Sequence, residues 1–214
     1  GRWPWTTFVG TREGLDTMPI LPNGRSRTSR PEHAFAELGE QALIKRREEG
    51  MLGGWMPAVR KVMRREGEPG SWYDVLVFAD VRASDRFVVQ TWHRTMKVQA
   101  GAIVAVHYTH SYCAFAPSRG AATAEQFYAA LIDFAAYWQH ALAGTVQAQL
   151  PDASWNDMAQ FAFARELVVR PGGDYPKYGA VERDYYGNEY DGFQDTFTSS
   201  FSANLEWGRF AQAA

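Results

Sequence analysis

Trp72-Tyr-Asp-Val-Leu-Val-Phe-Ala79, Arg86-Phe-Val-Val-Gln-Thr-Trp-His-Arg-Thr-Met96 and Ala102-Ile-Val-Ala-Val-His-Tyr-Thr-His-Ser-Tyr-Cys113 follow one another with only short links between them. All three are rich in β-branched and aromatic residues, which suit a pleated, half-buried surface. Gly67 to Ser71, Ala83 to Asp85 and Ala100-Gly101 punctuate them as turns. Links this short join antiparallel neighbours, so the run predicts an antiparallel meander, one part of a β-sandwich. Upstream, Glu32 to Glu49 reads as a surface helix ended by Gly50, and the Pro-, Gly- and Arg-rich residues 1–31 read as irregular.

Beyond Ala121 the apolar period becomes helical. Thr123 and Gln126 form a capping box. Phe127, Leu131, Phe134, Trp138 and Leu142 then recur at spacings of three and four, and Gly144 closes the helix. A second helix follows Pro151-Asp152 with Trp155, Met158, Phe161, Phe163 and Leu167. Its apolar residues nearly encircle it, which predicts burial on most sides. Pro171-Gly-Gly173 ends it, and a third helix begins near Thr198. The division expected is a β-rich domain over 1–120, a linker helix over 121–150 and helical hairpins over 151–214. The chain begins at Gly1 and stops within the apolar run Phe201 to Phe210, and it reads as part of a longer protein.

Composition narrows the function classes. The apolar fraction is 46% and the charged fraction 21%, ordinary for a folded domain. A net charge of −2 supplies no field toward nucleic acid or an anionic membrane. No apolar run approaches the roughly 18 residues of a spanning helix. Cys113 is the single cysteine, so no internal disulfide forms and the compartment stays open.

The segment from Arg170 to Ser200 is where chemistry concentrates. It holds Tyr175, Tyr178, Tyr185, Tyr186 and Tyr190, half of the ten tyrosines, beside Asp174, Glu182, Asp184, Glu189, Asp191 and Asp195. Connections this long are uncommon in compact domains and are usually functional or disordered. Disorder fits poorly, because disordered segments are depleted in aromatics. Rings cover the apolar faces of a pyranose, carboxylates accept its hydroxyl protons, and paired acids cleave glycosidic bonds.

The order of these parts resembles the six-hairpin (α/α) toroid glycosidases: a β-rich domain, a linker helix bearing Tyr137-Trp138, then helical hairpins with long loops. Locally the chain is most similar to the α-L-rhamnosidase family, on Asp184-Tyr-Tyr-Gly-Asn188-Glu189-Tyr-Asp-Gly192-Phe193-Gln-Asp195. Asp184 and Glu189 keep that family's five-residue spacing. Gly192-Phe193 stands where Gly-Trp is expected, and Asp195 falls one residue early. The resemblance implies an N-terminal β-sandwich-like domain, a linker helix and the first hairpin of an (α/α) toroid. It makes Glu189 the general acid, with Asp184 and Asp195 gripping sugar hydroxyls. It also puts the general base on a later hairpin of the same chain.

An inverting hydrolase needs two carboxyls roughly 6.5–9.5 Å apart, one protonated and one ionised. Crowding among Glu189, Asp191 and Asp195 raises one carboxyl pKa by like-charge repulsion. Glu189 and Asp191 are therefore the candidate catalytic carboxylates. Asp184, Asp195, Tyr178, Arg183, Gln194, Phe193 and Trp207 are the candidate substrate contacts. The bland alternative is a set of solvated loop charges paired with Arg183 and Lys177.

Other signals are weaker. His107, His110 and Cys113 include metal-ligand types, but an odd separation puts His107 and His110 on opposite strand faces. A calcium site from Asp184, Asn188 and Asp191 lacks a spaced acid–glycine loop. The expectation is no cofactor and no metal. The basic runs Lys45-Arg-Arg47 and Arg60 to Arg65 read as solvated faces, with no nucleic-acid motif. Arg25, Arg27 and Arg30 lie in a turn-rich segment. Trp138 and Trp155 sit in helical stripes and read as core. Three functions follow in order: a glycoside hydrolase acting on an oligosaccharide, a non-catalytic carbohydrate-binding module, and a polysaccharide lyase using Tyr178 or Tyr186 with Arg183.

Overall fold

Each of the three predicted strands is a strand of one larger sheet. In the computed structural model the described residues are 7–14, 17–20, 24, 26, 43–65, 67–84, 88–112, 118–146, 148–169 and 201–213. The strands are β1 (Thr7–Val9), β2 (Met18–Ile20), β3 (Leu43–Leu52), β4 (Met56–Arg65), β5 (Ser71–Ala79), β6 (Val89–Gln99), β7 (Ala102–Tyr112) and β8 (Ser118–Ala122). The helices are α1 (Ala124–Ala141), α2 (Ser154–Val169), α3 (Phe201–Glu206) and α4 (Phe210–Ala213). Strands β3 to β8 form a six-stranded sheet in chain order, every pair antiparallel, and β1 pairs with β2 in a second, two-stranded sheet. The fold is mixed: an antiparallel sheet followed by helices.

Two strands replace features that the charge pattern predicts differently. Leu43 to Glu49, the second half of the expected surface helix, is β-strand, and Gly50 lies inside it rather than ending a helix. Residues 32–42 lie outside the described residues. The cause is the partner strand: β4 pairs with β3 from Leu43↔Arg65 to Leu52↔Met56, with three register shifts along the way. Gly53 and Gly54, with φ of +63° and +83°, turn the chain between them. A long cross-strand ladder overrides the modest helix propensity of Lys, Arg and Glu. The irregular N-terminal stretch likewise contains the short pair β1 and β2.

The sheet's two faces carry separate cores. On one, Ala58, Leu76, Phe78 and Trp92 meet Phe127, Phe134 and Trp138 of α1 and Phe163, Ala164, Leu167 and Val168 of α2. Phe78 lies at its centre, with ring centroids 5.2 Å from Phe127 and 5.1 Å from Phe134. Each such buried ring stabilises by about 1.5–3 kcal/mol through burial alone. On the opposite face, Val59, Met63, Tyr73, Val75, Val77, Ala79 and Val89 meet Val9, Met18 and Ile20 of the N-terminal pair. Phe8, one residue out of phase with Val9, packs on the helix-side core instead. The N-terminal strap thus joins both cores.

Gly24 lets the strap lie flat. Its φ is +81°, and a Cβ built there would stand 2.8 Å from Val75 Cγ1. Gly24→Ala combines overpacking with left-handed strain and is expected to cost about 1–3 kcal/mol. A lowered urea midpoint would show it; an unchanged midpoint would mean that the strap contributes nothing to the global unfolding.

The helices follow the predicted caps more closely than the predicted burial. Thr123 accepts from the Gln126 backbone and Gln126 returns the bond, as the capping box requires, and Phe127, Phe134 and Trp138 are buried. Helix α2 departs from expectation. Its C-terminal half is buried through Phe163, Ala164, Leu167 and Val168, but Trp155 is 60% and Met158 54% exposed. The packed stripe is one-sided, so Trp155 is a surface residue and not core. The third helix is broken in two: Gly208, at φ +73°, separates α3 from α4.

Candidate functional site

The segment carrying Glu189, Asp191, Asp184, Asp195, Tyr178, Arg183, Gln194 and Phe193 lies outside the described residues, but both of its flanks are described. It leaves α2 just after the buried Leu167 and Val168 and re-enters at α3. The two flanks meet. Trp207, the remaining candidate contact, is half-buried with its ring edge-on to Phe163 of α2 at 5.9 Å. Its carbonyl accepts from the Val146 N–H at 3.2 Å. Beside it, the buried Arg209 sits 5.1 Å over the Phe163 ring. Arg209 donates to Thr145 Oγ1 at 2.8 Å and to the Ala141 carbonyl at 3.3 Å. Those partners lie at the C-terminus of α1, where the helix dipole is negative and favours a cation. Burial lowers the Arg209 pKa, and Arg12 nearby adds to the shift. The α1 end, α2 and the turn after α3 are therefore pinned together.

The helix face of the sheet carries a charge network beyond the N-terminus of α1. Asp74 bridges two guanidiniums, Arg94 at 2.6 Å and Arg60 at 2.5 Å. Arg94 also donates to the Tyr128 hydroxyl at 3.2 Å and lies over Phe127. His107 packs against Phe127 and Tyr128. Its pKa is lowered by burial first and by the Arg94 charge second. The Asp74 and Arg94 side chains are 13% and 10% exposed, so Asp74→Ala strands a largely desolvated cation. A loss of about 2–3 kcal/mol is expected, toward the low side for breaking a buried pair because Arg94 retains Tyr128. Thermal unfolding of D74A, compared with D74A/R94M, checks this: partial recovery in the double variant is the signature of a stranded charge.

The opposite face holds a buried polar cluster that the sequence did not signal. Ser26 Oγ and Thr91 Oγ1 lie 3.0 and 2.8 Å from His93 Nε2. The His93 ring stacks on Tyr108 at 4.7 Å and lies 6.2 Å from that of His110. Arg119 from β8 covers the Tyr108 ring at 4.6 Å. A serine within reach of a histidine invites comparison with a nucleophilic dyad. Ser26 and His93 are both buried, and among the described residues nothing partners His93 Nδ1 to orient the ring as a dyad requires.

The histidine alternation expected from the strand period is present. His107 pairs with Arg94 on the helix face, and His110 pairs with Thr91 on the other. Cys113 and the trio Asp184, Asn188 and Asp191 lie outside the described residues. Among the described residues no group of three or more His, Cys, Asp or Glu side chains is placed to hold a metal. Arg25, Arg27 and Arg30 are likewise outside them. The Arg60 to Arg65 run is not simply a solvated face: Arg60 and Arg64 are exposed, but Lys61 between them is fully buried on the strap side. Among the described residues no helix is long and apolar enough to cross a membrane.

Set against known proteins, the chain matches no family model, no curated protein and no solved structure.

Proposed function

We propose that this chain belongs to an inverting glycoside hydrolase, contributing a β-sandwich-like domain, a linker helix and the first hairpin of an (α/α) toroid. The observation that carries the reading is the spacing Asp184, Glu189, Gly192-Phe193, Asp195 inside a segment dense in tyrosine. In this reading Glu189 protonates the leaving oxygen while Asp191 holds the local charge that keeps it protonated. Asp184, Asp195, Gln194 and Arg183 bind hydroxyls, and Tyr178, Phe193 and Trp207 line the sugar faces. A general base on a further hairpin of the same toroid completes the pair. The substrate is an oligosaccharide or glycoside, and the reaction needs neither a metal nor a cofactor, a nucleic acid nor a membrane.

Two structural facts support the reading. The order of a sheet, then helix α1, then a helix pair agrees with the proposed arrangement at the coarse level. The Phe163–Trp207 contact brings α2 against the residue that follows α3, which supports a hairpin arrangement of the two flanks. Precise positioning of catalytic groups depends on such rigid supports.

A panel of oligosaccharides incubated with the intact protein tests the proposal. New reducing ends without an unsaturated chromophore are the expected product. An unsaturated product would make the protein a lyase, with Tyr178 or Tyr186 and Arg183 as its groups. Binding with no product would make it a carbohydrate-binding module.

A further inference from the structure

We infer that the contact of Ser26 with His93, between Tyr108 and His110, is an acid-sensitive latch that holds the N-terminal strap on the sheet at neutral pH and loosens as the pH falls. The inference is independent of the glycan reading.

The hydrogen bonds define the neutral state. Thr91 donates its single hydroxyl proton to the His110 carbonyl at 3.1 Å, so toward His93 it acts as an acceptor. That assigns the His93 proton to Nε2, shared between Thr91 and Ser26. Nδ1 is then a buried lone pair, and among the described residues it has no hydrogen-bond partner. A second proton can enter only at Nδ1. There it creates a buried N–H with no acceptor among the described residues, on a ring now carrying a full charge.

The surroundings oppose that charge. From β7, Tyr108 stacks on the ring and His110 lies beside it. From β8 comes Arg119. From β5 the register partner is Val77, which cannot titrate. On β4 the same face carries the buried Lys61, opposite Glu49 of β3 in the ladder. The strap contributes the hydroxyls of Ser26 and Thr17, both buried. Glu68, toward the far end of this face, is engaged with Lys97 and Tyr73. Burial holds His93 well below its ordinary range near 6.5, and His110 and Arg119 push the same way.

The sign follows. With the strap seated His93 stays neutral; with the strap lifted it meets water and titrates near its ordinary value. Below that value the open form binds a proton that the seated form refuses, so acid favours opening. For one such histidine the open-to-seated ratio rises about tenfold between pH 7.5 and 5.5. Opening is local because Ser26, Val9, Met18 and Ile20 belong to a short segment, whereas β5 is paired on both sides.

Native-state hydrogen exchange on the full chain at the two pH values, corrected for intrinsic chemical exchange, tests the latch. The expected result is a rise of about tenfold in the opening constants of Val9, Met18 and Ile20, with Val75 and Val77 unchanged. His93→Gln keeps a side-chain donor for Ser26 without titrating, and the rise should vanish in it. Unchanged strap amides, or an equal rise in H93Q, overturn the inference. Should H93Q fail to fold, an NMR titration of the wild-type His93 imidazole decides. A ring still neutral at pH 5.5 supports the latch, and one titrating at 6.5 or above overturns it.

Discussion

Glu189→Gln is expected to lower kcat for natural glycosides by about 10²- to 10⁴-fold, the usual contribution of a positioned proton donor. The amide keeps the size and polarity of the side chain but has no proton to give the leaving oxygen. The loss should shrink with the leaving group's own acidity. An aryl glycoside whose phenolate departs unaided should retain most of its turnover, while an alkyl or sugar leaving group should not. A substrate contact behaves otherwise: Asp184→Asn and Asp195→Asn remove hydrogen bonds to hydroxyls and should weaken both substrate classes alike. Steady-state kinetics on the two classes separate the roles. Equal losses for Glu189→Gln on both would make Glu189 a binding residue, and near wild-type turnover on natural glycosides would remove it from the chemistry.

The largest expected effect on stability is that of Phe78→Ala. The side chain is fully buried between Phe127 and Phe134, at the seam where the sheet meets α1. Truncation removes the transfer free energy of a benzyl group and leaves a cavity between two elements that cannot both collapse into it. A cost of about 3–5 kcal/mol is expected. For a domain of this length that corresponds to a fall in Tm of roughly 10 °C. Trp155→Ala is the control. A larger side chain is lost there, but from a residue 60% exposed, and the change should stay within about 0.5 kcal/mol. Thermal unfolding of both variants checks the ranking. A Trp155→Ala loss as large as that of Phe78→Ala would mean that the exposed side of α2 is covered in solution.

The parts of the fold legible in the sequence are those where periodicity and local chemistry agree. Strands β5, β6 and β7 are rich in β-branched and aromatic residues and are separated by short turn-forming links. Helix α1 announces itself through the Thr123–Gln126 box. The odd spacing of His107 and His110 suffices to place them on opposite faces. Legibility fails where a partner decides. Strand β3 carries Lys45, Arg46, Arg47, Glu48 and Glu49, a composition that favours helix until β4 pairs with it. In β4 itself the strap-facing set is Val59, Lys61 and Met63, and the inward lysine disguises the alternation. Gly208 looks tolerable inside a short apolar-periodic run, yet its left-handed backbone splits that run into α3 and α4.

The candidate site shows the same division. Its acids and rings are legible as a composition and a spacing, but of the residues singled out only Trp207 falls among the described ones. The contacts that join its flanking elements, Arg209 on the α1 terminus and Phe163 on Trp207, depend on tertiary packing. The Ser26–His93 contact joins residues 67 apart in sequence, and neither sits in a motif. No period or spacing rule brings them together.

The stereochemistry of the first product tests the central claim most directly. Proton NMR of a glycoside during early incubation with the intact protein distinguishes any anomer released before mutarotation equilibrates it. An inverting hydrolase, with Glu189 as acid and a water driven onto the opposite face of the sugar, releases the anomer opposite to that of the substrate. That is the result predicted. Release of the retained anomer, or of no free sugar, would contradict it.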